Sequence, residues 1–448
     1  MHINRTLTLI LIFSFLNLFL GVAQSQDSIV KNKINKKKGW SFGAVPAIAF
    51  DSDVGFRYGA IINLFNYGDG SAYPKYNESL YLEWSRTTKG NGTNQIVYDS
   101  KTLLKKVRTT AEFSYITENT LDFYGFNGYK AYYDPSFEDK NSSAYLSSLF
   151  YRMDRKYLRL RTDFQGALSG SNWQWLAGIT FYSVSLDTVD LTSLNKGRSS
   201  KDQYPAIQGG LYEIYKNAGL LPSNELKGGN NYFLKTGIIY DTRDNEANPM
   251  HGVWSDIQVF AGLPGLDNHS GFIQLAFTHR QYFTLVQKKL SLACRLSSQN
   301  KVAGNIPFYL LPFEHYLTPY VDVDGLGGIK TLRGILRNRV VGDGVAYGNL
   351  EMRWKFLQAI LFKQNLYLAL SAFVDGGMVI QQYKLNHTSD IDAQIFLDKG
   401  SSEQLHVSSG LGLHVALNEN FIISADYGKA FDKRDGTSGL YIGIGFLY

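Results

Sequence analysis

Cysteine is almost missing from this sequence. Cys294 is the single thiol in 448 residues, and one thiol cannot form an internal bridge, so a disulfide scaffold is excluded. Proline is scarce too, 10 residues against 43 glycines, and those glycines keep no three-residue period, which excludes collagen. Charge of one sign is also lacking. Lys and Arg number 45 and Asp and Glu 39, a formal net charge of +6 over the whole length, too dilute to imply nucleic acid as a partner. Beyond Leu20 no apolar run approaches about 18 residues, so no bundle of helices spans a membrane. What the chain does hold is aromatic: 14% of it, with 30 Tyr and 28 Phe. That level excludes intrinsic disorder and suits pleated, half-buried surfaces.

The first residues read as an address. Met1 to Arg5 is a short positive start, Leu7 to Leu20 is almost wholly apolar, and Ala23 and Ser25 occupy the −3 and −1 places for cleavage before Gln26. Residues 1–25 are therefore expected to be a secretory signal peptide. The apolar run of about 14 residues is shorter than the roughly 20 a permanent membrane helix needs. Residues 26–39, which include the Lys36-Lys37-Lys38 run, read as a short solvated leader that touches head groups or a partner.

From Trp40 onward the sequence alternates. In Val345 to Leu357, Ala346, Gly348, Leu350, Met352, Trp354 and Phe356 share one parity, and Tyr347, Asn349, Glu351, Arg353 and Lys355 share the other. Successive side chains of a strand point to opposite faces, so one face is apolar and the other charged. Tyr157 to Gly166 sets Leu158, Leu160, Thr162 and Phe164 against Arg159, Arg161, Asp163 and Gln165; Leu405 to Leu417 repeats the pattern. Runs of about ten residues with one oil-compatible and one charged face suit an all-β antiparallel transmembrane barrel with a polar bore, of about 16 strands. The soluble sandwich has shorter strands and an apolar inner face. Tyr and Trp near strand ends, among them Trp40, Trp84, Trp173, Trp175, Trp254 and Trp354, are expected in the interfacial girdles.

The last strand places Leu440, Ile442, Ile444, Phe446 and Tyr448 on one parity. Its spacing, Tyr441-x-Gly443-x-x-Phe446-x-Tyr448, looks like the terminal β-signal by which outer-membrane barrels are recognised for assembly. It points to a Gram-negative outer membrane. The longest irregular stretch, Asp187 to Asn230, contains a helical pattern over Ala206 to Leu220, with Leu211, Ile214, Tyr215 and Ala218 on one stripe. It reads as a loop feature folded over one mouth.

Two segments narrow the family. One is Gly327 to Arg339, with Leu332-Arg333-Gly334-Ile335 at its centre; the other is Asp241-Thr242-Arg243-Asp244, with Pro249 and Gly252 following. With Phe373-Val374-Asp375-Gly376-Gly377 on a later strand, these resemble the BamA/TamA superfamily of outer-membrane assembly and translocation barrels (the bacterial surface-antigen family), over residues 40–448. The resemblance implies an extracellular loop whose Arg-Gly tip tucks into the bore and faces the later motif. It also implies a role in inserting proteins or lipid into the outer membrane. Parity supports the same pairing independently. Glu351 and Asp375 fall on polar faces, and an arginine on a Gly-rich loop can bond both through its planar fork. Arg333 is thus expected to anchor the loop on Glu351 and Asp375; otherwise Arg333, Arg337 and Arg339 form a basic outer loop. Asp241 to Asp244 reads as a hairpin turn at the periplasmic end, its Asx side chains bonding the backbone, rather than as a metal site.

Two departures stand out. Residues 26–39 are too few for the periplasmic POTRA modules usual in that family, and Ile335 stands where an aromatic is usual at the loop tip. The chain thus reads as a POTRA-less relative. Its expected surroundings are outer-membrane lipid, outer-membrane protein clients, and a periplasmic or lipoprotein partner. Gly443 and Gly445 thin the packing where the last strand meets the first, a seam that could open; the alternative is a passive pore or structural barrel. An outer-membrane enzyme is disfavoured, since His279, His315, His406 and His414 have no spacing of a nucleophile motif. No phosphate loop, dinucleotide fingerprint or paired Cys calls for a cofactor.

Overall fold

A computed structural model describes residues 37–46, 49–51, 55–73, 75–168, 172–200, 203–204, 209–246, 248–264, 271–313, 324–361, 364–397, 401–417, 421–444, 446 and 448. The expected signal peptide, most of the expected leader, residues 206–208 of the expected loop helix, His315 and Gly445 lie outside these residues.

The described residues form one antiparallel sheet. Its strands are β1 (Trp40–Pro46), β2 (Ala49–Asp51), β3 (Gly55–Asn66), β4 (Glu78–Thr87), β5 (Gly92–Leu104), β6 (Val107–Asp122), β7 (Arg152–Ala167), β8 (Trp173–Asp187) and β9 (Gly228–Asp241). The second half holds β10 (Gly252–Gly262), β11 (Phe272–Val286), β12 (Leu290–Gly304), β13 (Gly344–Leu361), β14 (Gln364–Gln381), β15 (His406–Leu417), β16 (Phe421–Ala430) and β17 (Ser438–Ile444). β1 and β2 share a single register on β3, from Trp40↔Asn66 to Asp51↔Gly55, so they are two stretches of one stave and the staves number 16. Each stave pairs with the next. The circuit is completed where β17 meets β2, among the described residues over Tyr441↔Asp51 and Ile442↔Phe50.

Alternation sorts the side chains as the pleat requires. On β13, Leu350 and Trp354 are 47% and 49% exposed while Glu351 and Arg353 between them are buried. A hydrocarbon surround satisfies the outer row, and the inner row must find partners across the bore. Two expectations are corrected. Staves reach 18 residues in β13 and β14, longer than a bilayer demands, because their upper parts continue as a wall around packed loops. And Trp254 faces inward, 7% exposed, donating from Nε1 to Asp256 at 2.7 Å beneath the Arg243 guanidinium; a girdle position would leave that N–H with no such partner.

The four longest connections, 123–151, 188–227, 305–343 and 382–405, all leave the same end of the staves, the arrangement in which the long loops are extracellular. Those loops build a core of their own. Phe123, Phe126, Phe150, Tyr212, Tyr215 and Phe308 are buried together, with Phe123 edge-on to Tyr215 at 5.4 Å and Phe126 edge-on to Phe308 at 6.2 Å. Edge-to-face pairs of this kind add about 0.5–1.5 kcal/mol each beyond their buried area. The second of two short α-helices described in the 188–227 loop is part of this cap. Over the expected 206–220 stretch the described helix is Leu211–Asn217, with Gly210 extended as its N-cap.

Candidate functional site: an arginine-anchored loop in the bore

The connection from β12 to β13 turns down into the barrel. Gly327 (φ +118°) and Gly334 (φ +93°) hold backbone conformations that L side chains rarely adopt, and each lies against other backbone. Leu332, Arg333, Gly334 and Ile335 are all enclosed by the wall, the two aliphatic side chains in a small core with Leu326, Val340 and Tyr347.

Arg333 is fully buried. Its Nε lies 2.9 Å and its Nη2 3.1 Å from the two oxygens of Asp375, the bidentate geometry that only a planar fork supplies, and its Nη1 lies 2.7 Å from Glu351 Oε2. Its backbone N–H donates to Asp375 as well, at 3.1 Å. The loop therefore brings Arg333 between the two carboxylates that parity had placed on the inner faces of β13 and β14. Glu351 is shared with Arg353, at 2.8 Å. Arg337 pairs with Glu118 and Asp324, and Arg339 donates to the carbonyls of Gly128, Ala131 and Arg434, so these arginines are held inside and do not form an outer basic patch.

Sequence reasoning did not bring five further residues to the anchor. Asp426 of β16 stands 3.5 Å from Arg333 Nη1 and receives His414 Nε2 at 3.1 Å. The Phe373 ring lies 3.4 Å below the guanidinium. Gly428, and Gly410 paired with it, open the wall where the loop tip presses in. Tyr441 accepts the Gly334 N–H on its hydroxyl at 3.1 Å. The Phe-x-Asp-x-Gly spacing marks Phe373 in the sequence and the terminal spacing marks Tyr441, though neither places its residue at the anchor, and nothing in an alternation pattern marks the other three.

The terminal segment departs from the expected row. β17 ends at Ile444, and Phe446 and Tyr448 turn into the bore rather than toward lipid. The Tyr448 hydroxyl donates to the carbonyls of Ala293 and Asn349 at 2.9 and 3.2 Å, and Phe446 lies 4.2 Å from the Arg353 guanidinium. A phenol hydroxyl in hydrocarbon would have no such acceptors. Gly443 remains in the strand, opposite Ser424.

The Asp241 motif forms a turn, as its composition predicts, and the turn spans the lower opening. Asp241 holds Arg243 at 2.9 Å, and Asp244 Oδ1 accepts the backbone N–H groups of Asn245, Met250 and His251. Pro249 is buried, and Gly252 (φ +104°) begins β10. From this turn Glu246 reaches Lys101 at 3.4 Å and Arg108 at 3.5 Å, while Asn248 donates to the Tyr367 hydroxyl on β14 at 2.6 Å. Arg108, Lys101 and Arg243 outweigh the partial desolvation of the Glu246 carboxyl and hold its pKa to about 2. Among the described residues no group of three metal-ligating side chains converges.

Sixteen antiparallel staves, an oil-facing exterior and a loop pinned in a charged bore define a transmembrane β-barrel of the outer-membrane type. The Omp85 superfamily domain matches residues 76–447, and the chain belongs to that superfamily. Among solved structures it is similar to BamA from Haemophilus ducreyi lacking POTRA domains 1–3 (18% identity, TM-score 0.51), covering 92% of this chain and 71% of that one. It is also similar to CdiB from Escherichia coli (9% identity, TM-score 0.53), covering 92% of this chain and 63% of that one. At such identities the likeness is one of fold. No curated protein matches the chain in sequence.

Proposed function

We propose that this chain handles polypeptide at the Gram-negative outer membrane, admitting or inserting client strands through the seam between its last and first staves. A periplasmic or lipoprotein partner would deliver those clients. The observation that carries this reading is the seam. Among the described residues β17 and β2 share two residue pairs, whereas β13 and β14 pair from Gly344↔Gln381 to Leu361↔Gln364. β1 is registered on β3, and among the described residues no register ties it to β17. A strand edge in hydrocarbon leaves backbone groups unpartnered at several kcal/mol each, so such an edge favours any strand able to pair with it. The turning of Phe446 and Tyr448 into the bore supports the same view, since it withdraws the segment that would otherwise lengthen the seam.

The test is a reversible lock. Phe50→Cys and Ile442→Cys, register partners at the seam, are combined with Cys294→Ser in cells whose only copy of the chain carries them. Oxidation should deplete other barrel proteins from the outer membrane, and reductant should restore them. Undiminished barrel proteins with the lock closed would end the seam reading.

A further inference from the structure

The wall of the bore built by β10, β11 and β12 carries a cation that its neighbours do not neutralise. Arg280 sits on the inward row of β11, 6% exposed, directly opposite Arg295 of β12 and Trp254 of β10. Like charges facing each other across a ladder repel, and burial makes an uncompensated guanidinium costly. The nearby acids are engaged elsewhere. Asp256 accepts from Trp254 Nε1 at 2.7 Å and from Gln258 Nε2 at 2.6 Å; Asp241 holds Arg243; Glu351 holds Arg333 and Arg353. Among the described residues no carboxylate lies within ion-pair distance of Arg280, and its Nε has no hydrogen-bond partner.

Further donors gather beside it. Tyr282, the next inward residue of β11, is 1% exposed and its hydroxyl is unpartnered. Arg353 uses Nε on Glu351 and Nη2 on the main-chain oxygen of Tyr448, leaving Nη1 without a partner. Arg295 bonds neutral oxygens, Asn349 Oδ1 at 2.7 Å and the Lys330 carbonyl at 3.1 Å. Ala293, the register partner of Tyr282, packs with it and with the ring of Tyr448. A guanidinium fork and a phenol hydroxyl together offer donors to a group that accepts on several oxygens at once.

We propose that Arg280 and Tyr282, flanked by Arg295 and Arg353, form an oxyanion site in the barrel wall that takes a phosphate group. This site stands apart from the seam and from the Arg333 anchor, and does not depend on client handling. Free phosphate and the phosphate of a lipid headgroup present the same chemistry, so the experiment separates them. The detergent-solubilised full chain is titrated with inorganic phosphate, and in parallel with dihexanoyl phosphatidylglycerol, at matched ionic strength, while thermal unfolding is followed. A saturable rise in the unfolding midpoint with either ligand supports the site and names its source. Arg280→Gln should abolish the rise and, without phosphate, unfold no earlier than the parent, because it removes an uncompensated buried charge. Tyr282→Phe, which removes only a hydroxyl, should bind about tenfold more weakly and supplies the reading if Arg280→Gln does not fold. No saturable rise with either ligand, or an equal rise in both variants, overturns the proposal.

Discussion

The backbones of Arg333 and Gly428 touch. A Cβ on Gly428 would stand 2.6 Å from the carbonyl carbon of Arg333 and 2.8 Å from the amide nitrogen of Gly334, and one on Gly334 would stand 2.6 Å from the amide nitrogen of Lys429. Neither surface has room for a methyl group. Gly428→Ala is therefore expected to lift the loop tip off β16, at a cost of about 1–3 kcal/mol. Protease cleavage within residues 325–345 should quicken in that variant; cleavage at the parental rate would mean that the close approach carries no energetic weight.

Arg333→Ala leaves Glu351 and Asp375 buried without their shared cation, a change worth roughly 3–5 kcal/mol. The temperature at which the barrel loses its folded mobility on a gel should fall clearly. Arg333→Lys keeps the charge but loses the fork and should fall between the two. Equal heat resistance in all three proteins would remove the anchoring role.

Glu225 gives the cap a pH response. Its carboxylate accepts the Phe308 N–H at 2.8 Å where the loop toward the bore begins, and burial raises its pKa to about 7. A carboxyl raised in the folded state binds its proton more tightly there than in the opened chain. Cap stability should therefore fall as pH rises from about 4.5 to about 7 and level off above. Glu225→Gln should flatten that part of the profile, read by hydrogen exchange of the Phe308 region between pH 5 and 8. A profile identical to the parent's would assign the response to other groups.

The filled bore sets an expectation for conductance. In planar bilayers the intact chain should pass little current, and a chain lacking residues 325–345 should pass considerably more. A large steady current through the intact protein would favour the passive-pore reading.

Periodicity made the staves legible because a barrel imposes two different solvents on alternate residues, and β13 is the clearest instance. The same parity was enough to put Glu351 and Asp375 inside, and the Gly-rich flank of Arg333 marked a segment able to turn tightly. What stayed hidden depends on curvature. Asp426, Gly428 and Tyr441 approach the loop from the far wall, and no local pattern states which inner rows of a cylinder face each other. Trp254, Phe446 and Tyr448 misled for a related reason: an aromatic with a polar tip fits an interface or a bore equally well, and the partner that decides lies on another strand. The cap's aromatic core joins loops far apart in the chain, beyond the reach of any window.

The turn that begins at Asp241 sits halfway round the staves from the junction of β17 and β2, and it grips β5 and β6 through Glu246 on one side and β14 through Asn248 on the other. It works as a tie-rod across the foot of the cylinder. Prising the far side apart must lengthen that rod, and its most exposed fastening, the Glu246 ion pairs, should yield first. Whatever slackens those pairs, high salt included, would then make the hoop easier to spread.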